Sequence, residues 1–374
     1  KNNFYEIYGC GLKNYRNKKN ITIDAGNSGT LARLICGLLS NYNHKVKIIG
    51  DESLSKRDFY RVIDPLKQFG VNISSRSGKL PVNISGNSVL RPIDFEEHKG
   101  SAQVKSSILL AALNTPGITT IKCPPSRNHT EIMFKNCLKI PIKIVKKKKY
   151  EIIQVEGLKN FRKFDYKIPG DISSASFFIV LTLLSKGSRL KIRNVNINPS
   201  RIGIIEILKK MNGKINLSNK RIYKGEQISD IIIESTKNLK SINCPKNLNT
   251  KSIDEFLIIF LLCARAKGIS RFKGIQELRH KESDRLKMAS KFLRMLGIKV
   301  KVSFDSISIY GKPDLILKKK YVVKNFMKDH RVFMMATIAA NVFGGNFKIY
   351  DKSSIKSSFP NFLQILKGLG SKIN

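Results

Sequence analysis

LRMLGIKVKV, from Leu293 to Val302, decides how the chain is built: an amphipathic run ends in a hydrophobic turn at Gly297 and continues as an alternating, β-branched stretch. A glycine at that point has a local reason, because a residue with positive φ is the usual way to end a helix and start a strand. The same design recurs as LKQFGVNI at Gly70, LKIPIKIV at Pro141, LKKMNGKINL at Gly213 and LKGLGSKI at Gly370. The copies lie about 70 to 85 residues apart, a period that marks repeated structural units, and Pro141 marks one divergent copy.

A second landmark keeps the same period: a polar turn that opens an almost wholly apolar helix. Its copies are AGNSGTLARLICGLL, KGSAQVKSSILLAAL, PGDISSASFFIVLTLL, TKSIDEFLIIFLLCA and KDHRVFMMATIAANV, anchored on Gly29, Ala102, Ser174, Asp254 and Arg331. Each unit therefore carries two helices, one buried all round and one amphipathic. Stretches such as VKIIG, VNISGNSV and ISIYG lie between them, so the unit reads as β/α with short antiparallel elements. Five helix pairs imply a sixth before residue 1, which is Lys and not Met.

The length of 374 residues exceeds the roughly 250–300 at which one hydrophobic core stops growing, so two domains are expected. The apolar runs that begin at Phe177 and Phe256 fall short of the roughly 20 residues a bilayer span needs, and no N-terminal signal pattern is visible. The expectation is a soluble, cytoplasmic protein. Six cysteines (Cys10, Cys36, Cys123, Cys137, Cys244, Cys263) lie far apart without a CxxC pair or a partnered histidine, and read as reduced core thiols rather than metal ligands.

A formal charge of +42 invites a nucleic-acid partner. The distribution argues against one. Lysines are sprinkled along the whole chain, the runs Lys146–Lys149 and Lys318–Lys320 fall at expected hairpin turns, and no basic stripe is interleaved with aromatics. A Lys-, Asn- and Ile-rich compositional bias is the simpler explanation.

The first turn of a helix leaves backbone N–H groups unpaired and attracts phosphates and carboxylates. In AGNSGT, Gly26 and Gly29 let the backbone approach a ligand, while Asn27, Ser28 and Thr30 offer hydrogen bonds; a plain helix cap is the alternative. In GSAQVK, Ser101 and Gln103 stand at the start of a buried helix, followed by Lys105, and a cap is again the alternative. Asp254 and Glu255 complement a helix dipole. Arg331 opposes one, so a buried anionic partner is expected for it. In LRHKESDRLKMA, Ser283 is placed to cap the following helix, with Arg285 in its first turn and Lys281 and Glu282 just outside. GDESLSKRDFYRVIDPL adds Lys56, Arg57 and Arg61 ahead of another helix.

Taken in order, DAGNSGTLARL, GDESLSKR, SAQVKS, SRNHTE, PGDISSASF, NPSRIGIIEILKKM, DEF, ELRHKESDRL, DHRVFM and SSFPNF resemble the enolpyruvyl transferases, in particular the 5-enolpyruvylshikimate-3-phosphate synthases, through nearly the whole chain. The resemblance implies a two-domain α/β (α+β) enolpyruvyl transferase fold, an inside-out α/β barrel of units of about 70 residues, three per domain. Residues 1–168 would form the substrate-binding domain, and 169–374 the domain that carries proton transfer. The family's first block, a Lys-Ser pair followed by an Arg, has no counterpart here, so the first unit is expected to be largely missing. The two domains would close over a cleft.

The family's reaction moves the enolpyruvyl group of phosphoenolpyruvate to the 5-hydroxyl of 3-phosphoshikimate and releases phosphate through a tetrahedral adduct. By resemblance Gly29, Arg57, Gln103, Arg285 and Arg331 would bind phosphoenolpyruvate. Ser101, Ala102, Gln103, Ser126, Arg127, Asp254 and Lys281 would bind 3-phosphoshikimate. Asp254 would be the base, helped by Lys281, and Glu282 the proton donor; the residues alone leave open which carboxylate is acid and which is base. Arg279 and Asp284 read as structural. No cofactor or metal is implied, and the partners would be the two small anionic substrates, with no nucleic acid and no membrane, for a monomeric protein. Where some members carry a Lys before the C-terminal Phe-Pro, this chain has Ser357, with Lys356 before it. Two other readings compete: a UDP-N-acetylglucosamine enolpyruvyl transferase, whose loop cysteine GDESLSKRDFYRVIDPL lacks, and a basic nucleic-acid-binding protein of related fold.

Overall fold

A computed structural model describes residues 6–8, 20–159, 163–326 and 329–373. The chain divides into two compact units, Lys1–Asp165 and Tyr166–Asn374, where the sequence reading places the boundary after residue 168.

Unit 1 runs β1 (Ile21–Asp24), α1 (Gly29–Leu38), β2 (Lys45–Ile49), α2 (Glu52–Ser55), α3 (Tyr60–Gln68), β3 (Asn72–Ser75), β4 (Val82–Ser85), β5 (Asp94–Glu96), α4 (Ala102–Ala112), β6 (Ile118–Cys123), α5 (His129–Met133), β7 (Ile142–Lys146) and β8 (Glu151–Glu156). Its two sheets have the same topology. In the first, ordered β1-β2-β4-β3, β1 and β2 are parallel and β4 is antiparallel to both its neighbours. The second, β5-β6-β8-β7, repeats this arrangement. A parallel pair cannot be joined by a tight turn, so its crossover houses a helix, here α1 and α4.

Unit 2 runs α6 (Ile172–Leu184), β9 (Arg189–Asn196), α7 (Gly203–Lys210), β10 (Lys214–Tyr223), β11 (Glu226–Glu234), α8 (Phe256–Cys263), β12 (Ile269–Lys273), α9 (Arg285–Met295), β13 (Val300–Val302), β14 (Ser306–Tyr310), β15 (Leu317–Val323), α10 (His330–Phe343), β16 (Gly344–Ile349) and α11 (Phe362–Gly368). The same unit recurs three times. Sheets β10-β11-β9 and β12-β14-β13 lack a full first strand, whose place is taken by the parallel bridges Gly170–Val195, Lys240–Lys267 and Asn243–Arg271. In the last copy β15 and β16 are parallel and α10 connects them. Among the described residues the anticipated repeat is therefore present in five copies of strand or bridge, buried helix, strand and amphipathic helix, the first four completed by a hairpin and the last ending at α11.

Each unit has its own hydrophobic core. In α8, FLIIFLLC, every residue is buried, which a helix with no polar face requires.

Two local expectations are corrected. Gly70, Gly297 and Gly370 do hold positive φ, but in the Gly213 copy the left-handed residue is Asn212 (φ 70°), and in the Pro141 copy it is Lys139 (φ 57°). Gly213 is required for space instead, since a Cβ there would lie 2.8 Å from the Leu208 carbonyl oxygen. Lys147 and Tyr150 do close the β7–β8 hairpin. Lys318–Lys320, however, lie within β15, with all three exposed. An edge strand carrying lysines discourages pairing with another chain, and three cations are tolerated there because they face water.

Candidate active site

In unit 1, Ser28 caps α1 by accepting from Leu31 N at 3.1 Å, and Asp51 caps α2 by accepting from Leu54 N at 2.8 Å. Asn27 Nδ2 donates to Asp51 Oδ2 at 2.5 Å and so ties the two caps together. Over this junction sits a group of arginines. A Cβ on Gly29 would lie 3.1 Å from Nη1 of both Arg33 and Arg57, so the missing side chain leaves room between two guanidinium groups. Arg33 is buried over the Phe59 ring, and donates to Gln103 Oε1 at 2.6 Å and to the Asp58 carbonyl at 3.2 Å. Burial, reinforced by the charges of Arg61 and Arg57, pulls its pKa down to about 10. Three neighbouring cations with one at the edge of the core create a strong demand for an anion.

Gln103 also donates through Nε2 to Thr30 Oγ1 at 2.8 Å, so this side chain joins the first turns of α1 and α4. Ser101 caps α4, and its own N–H is held by Glu97 Oε2 at 3.0 Å; Ala102 begins the helix. Ser126 and Arg127 lie half-buried in the loop before α5, and the buried Ser126 Oγ has no hydrogen-bond partner among the described residues.

In unit 2 the predicted residues converge more tightly. Asp254 Oδ1 lies 3.4 Å from Lys281 Nζ and 3.6 Å from Arg285 Nη1. Arg285, 1% exposed, donates through Nη2 to Glu282 Oε2 at 2.5 Å and through Nε to Asp329 Oδ2 at 3.1 Å, while Nη1 donates no hydrogen bond among the described residues. Burial alone would lower the Arg285 pKa, but Asp329, Glu282 and Asp254 outweigh it and hold it above its ordinary value. The expectation of a buried anionic partner for Arg331 is corrected: the side chain is half-buried, and its Nη1 donates to a neutral main-chain carbonyl, Asp254 O, at 2.7 Å.

The capping expectation at Ser283 is overturned. Asp284 caps α9 by accepting from Lys287 N at 2.9 Å, and Ser283 Oγ instead donates to the buried Asp329 at 2.8 Å. A carboxylate outcompetes the hydroxyl for the helix N–H, which frees Ser283 for the core. Arg279 pairs with Asp284 at 2.7 Å and donates to the carbonyls of Ser303 and Phe304. Glu255 precedes α8 without capping it; its carboxyl takes a short hydrogen bond from Ser173 Oγ, to which Arg201 Nη2 also donates at 2.5 Å.

Sequence reasoning missed Arg33, Asp329 and the Glu255–Ser173–Arg201 group as parts of these clusters. Arg33 had a signal, four residues after Gly29 on one helix face. Asp329 caps α10 by accepting from the Arg331 N–H, which is a local pattern, but its bonds from Ser283 and Arg285 come from residues 46 and 44 positions away, and no local pattern announces those.

These clusters can be set beside known proteins. A sequence profile of EPSP synthase (3-phosphoshikimate 1-carboxyvinyltransferase) matches residues 2–366. The chain belongs to the EPSP synthase family. As a member of that family it is a transferase. It is 41% identical over 375 residues to the 3-phosphoshikimate 1-carboxyvinyltransferase of Ruthia magnifica subsp. Calyptogena magnifica, covering 98% of this chain and 82% of the relative. It is 37% identical to that of Zymomonas mobilis, again over 98% and 82% of the two chains. The EPSP synthase structure from Acinetobacter baumannii superposes with a TM-score of 0.82 at 34% identity, covering 96% of this chain and 81% of that one. The enolpyruvyl transferase NikO from Streptomyces tendae, at 16% identity and a TM-score of 0.71, shares the fold. The two-domain α/β enolpyruvyl transferase fold anticipated from the motifs is the fold found, and the EPSP synthase family is preferred over the UDP-N-acetylglucosamine one.

Proposed function

We propose that the unit 1 arginine and serine groups bind the substrates, and the unit 2 carboxylates move the protons, of a 3-phosphoshikimate 1-carboxyvinyltransferase. The protein takes the enolpyruvyl group from phosphoenolpyruvate and gives it to the 5-hydroxyl of 3-phosphoshikimate, a step of the shikimate pathway toward aromatic amino acids. Asp254 removes the hydroxyl proton as the oxygen bonds to C2 of phosphoenolpyruvate, and Glu282 protonates C3, which gives a tetrahedral adduct. Loss of a C3 proton and departure of phosphate then restore the double bond.

Arg57, Arg331 and Nη1 of Arg285 hold the phosphate and carboxylate of phosphoenolpyruvate, a task that suits the planar guanidinium fork. Gly29 leaves space for that ligand, and Gln103 lies beside it. Ser101, Ala102, Gln103, Ser126 and Arg127 hold 3-phosphoshikimate, with Asp254 and Lys281 at its reacting hydroxyl. The protein acts as a cytoplasmic monomer on these small anions; grouped arginines amid dispersed lysines support such ligands over nucleic acid.

The observation that carries this reading is the Asp254 carboxylate set between Lys281 at 3.4 Å and Arg285 at 3.6 Å. The test is phosphate release from phosphoenolpyruvate that depends on added 3-phosphoshikimate. Release with either substrate alone, or none with both, overturns the reading.

A further inference from the structure

A buried pair of charges in unit 1 has no part in the mechanism above. Lys105 Nζ and Glu131 Oε1 lie 2.6 Å apart with both side chains 1% exposed, deep in the core of unit 1. Apart from each other, neither group has a hydrogen-bond partner among the described residues. Desolvating two charges costs several kcal/mol per ion, and apolar replacements of such pairs are often neutral or stabilising, so stability is a poor reason to retain this one.

The placement of the pair suggests a better reason. Lys105 is in the first turns of α4, just after Ser101, Ala102 and Gln103, and Glu131 is in α5, just after Ser126 and Arg127. One residue along, Ser106 Oγ and Thr130 Oγ1 are 2.7 Å apart, so the same two segments are joined twice, by consecutive residues on each side. Two adjacent polar links across an apolar core fix the register of α5 against α4, because any slip would leave a buried charge unpaired.

We propose that Lys105 and Glu131 are positioning residues that set the spacing of the two 3-phosphoshikimate-binding segments; the inference rests on the assignment of Ser126 and Arg127 to that substrate. Neither side chain touches substrate. Their effect belongs in the 3-phosphoshikimate affinity rather than in the chemical step.

The experiment replaces both charges, Lys105→Met with Glu131→Leu, and measures Tm together with kcat and both KM values. The expected result is a folded protein whose KM for 3-phosphoshikimate is raised about ten- to hundred-fold, with kcat and the phosphoenolpyruvate KM within about two-fold of the parent. A folded double variant with an unchanged 3-phosphoshikimate KM overturns the proposal. Should the double variant not fold, Glu131→Gln, which keeps the volume, is read by the same constants; if it too loses the fold, the pair is a stability element and the proposal falls. Arg127→Ala separates the two inferences. Were it to leave the 3-phosphoshikimate KM unchanged, the binding assignment itself would fail; a raised KM in Arg127→Ala beside an unchanged one in the double variant removes only the positioning role.

Discussion

Asp254 lies in a turn where three cations meet it: Lys281 and Arg285 at its carboxylate and Arg331 at its carbonyl. Asp254→Asn or Lys281→Met is expected to lower turnover by about 10²- to 10⁴-fold, the usual worth of a positioned acid or base, with the melting temperature retained; near-parental turnover in either removes that residue from proton transfer. Asp329 is a different kind of residue, buried and bonded to Ser283, Arg285 and the Arg331 N–H. Burial opposes its charge, but the Arg285 guanidinium wins and holds its pKa below the ordinary carboxylate value. Asp329→Asn leaves Arg285 buried with less compensation, and urea unfolding should show a loss of about 3–5 kcal/mol. Glu255 has the opposite sign: burial first, then the Asp254 charge, raises its pKa. The stability it contributes is complete below the unfolded value, about 4.3, and is lost as pH rises through the higher folded value. Glu255→Gln should therefore raise Tm relative to the parent more at pH 8 than at pH 5, and an equal change at both would show that the folded chain holds no extra proton there. Asp254, Lys281 and Glu282 could be named from their motifs. Asp329 meets Ser283 and Arg285, and Glu255 meets Ser173, across more than 40 residues of chain, and spacing does not encode those contacts.

Among the elements, α1 and α4 show how tightly two equivalent helices can pack within one unit. A Cβ on Gly37 would lie 2.0 Å from the Ser107 carbonyl oxygen, a contact that backbone must move to relieve. Gly297 is unlike it, for its φ is 77° and nothing lies within 4 Å of an added Cβ. Gly297→Ala should thus cost about 1–2 kcal/mol of backbone strain, whereas Gly297→Asn stays close to the parent. Gly37→Ala should cost about 1–3 kcal/mol or more through overpacking, and Asn would be no remedy there. Denaturant midpoints of the three variants decide the matter: a parental midpoint for Gly37→Ala would mean that the helices are not so closely apposed. The helix–turn–strand period was legible because each copy ends its amphipathic helix in the same hydrophobic turn. Which residue takes the left-handed conformation was not, since Asn212 and Lys139 can do locally what glycine does in the other copies.

For the whole chain, the charge of +42 is spread over two units that each have their own core. Self-repulsion at that charge is long-ranged at low salt, and the Debye length of about 10 Å at 0.1 M screens it. Adding salt from about 0.02 to 0.2 M should raise Tm, while the KM of both anionic substrates increases as steering by the same field weakens. A Tm that falls with salt would mean that attractive ion pairs outweigh the net charge. By itself the sequence determined the repeat, the buried and amphipathic helix of each copy, and the family, because periodicity, helix caps and ordered motifs are local properties that survive without coordinates. The tertiary structure decided which charges meet. Arg33 against Gln103, Lys105 against Glu131, and Arg285 between Asp254 and Asp329 are all encounters between segments whose separation along the chain says nothing of their approach.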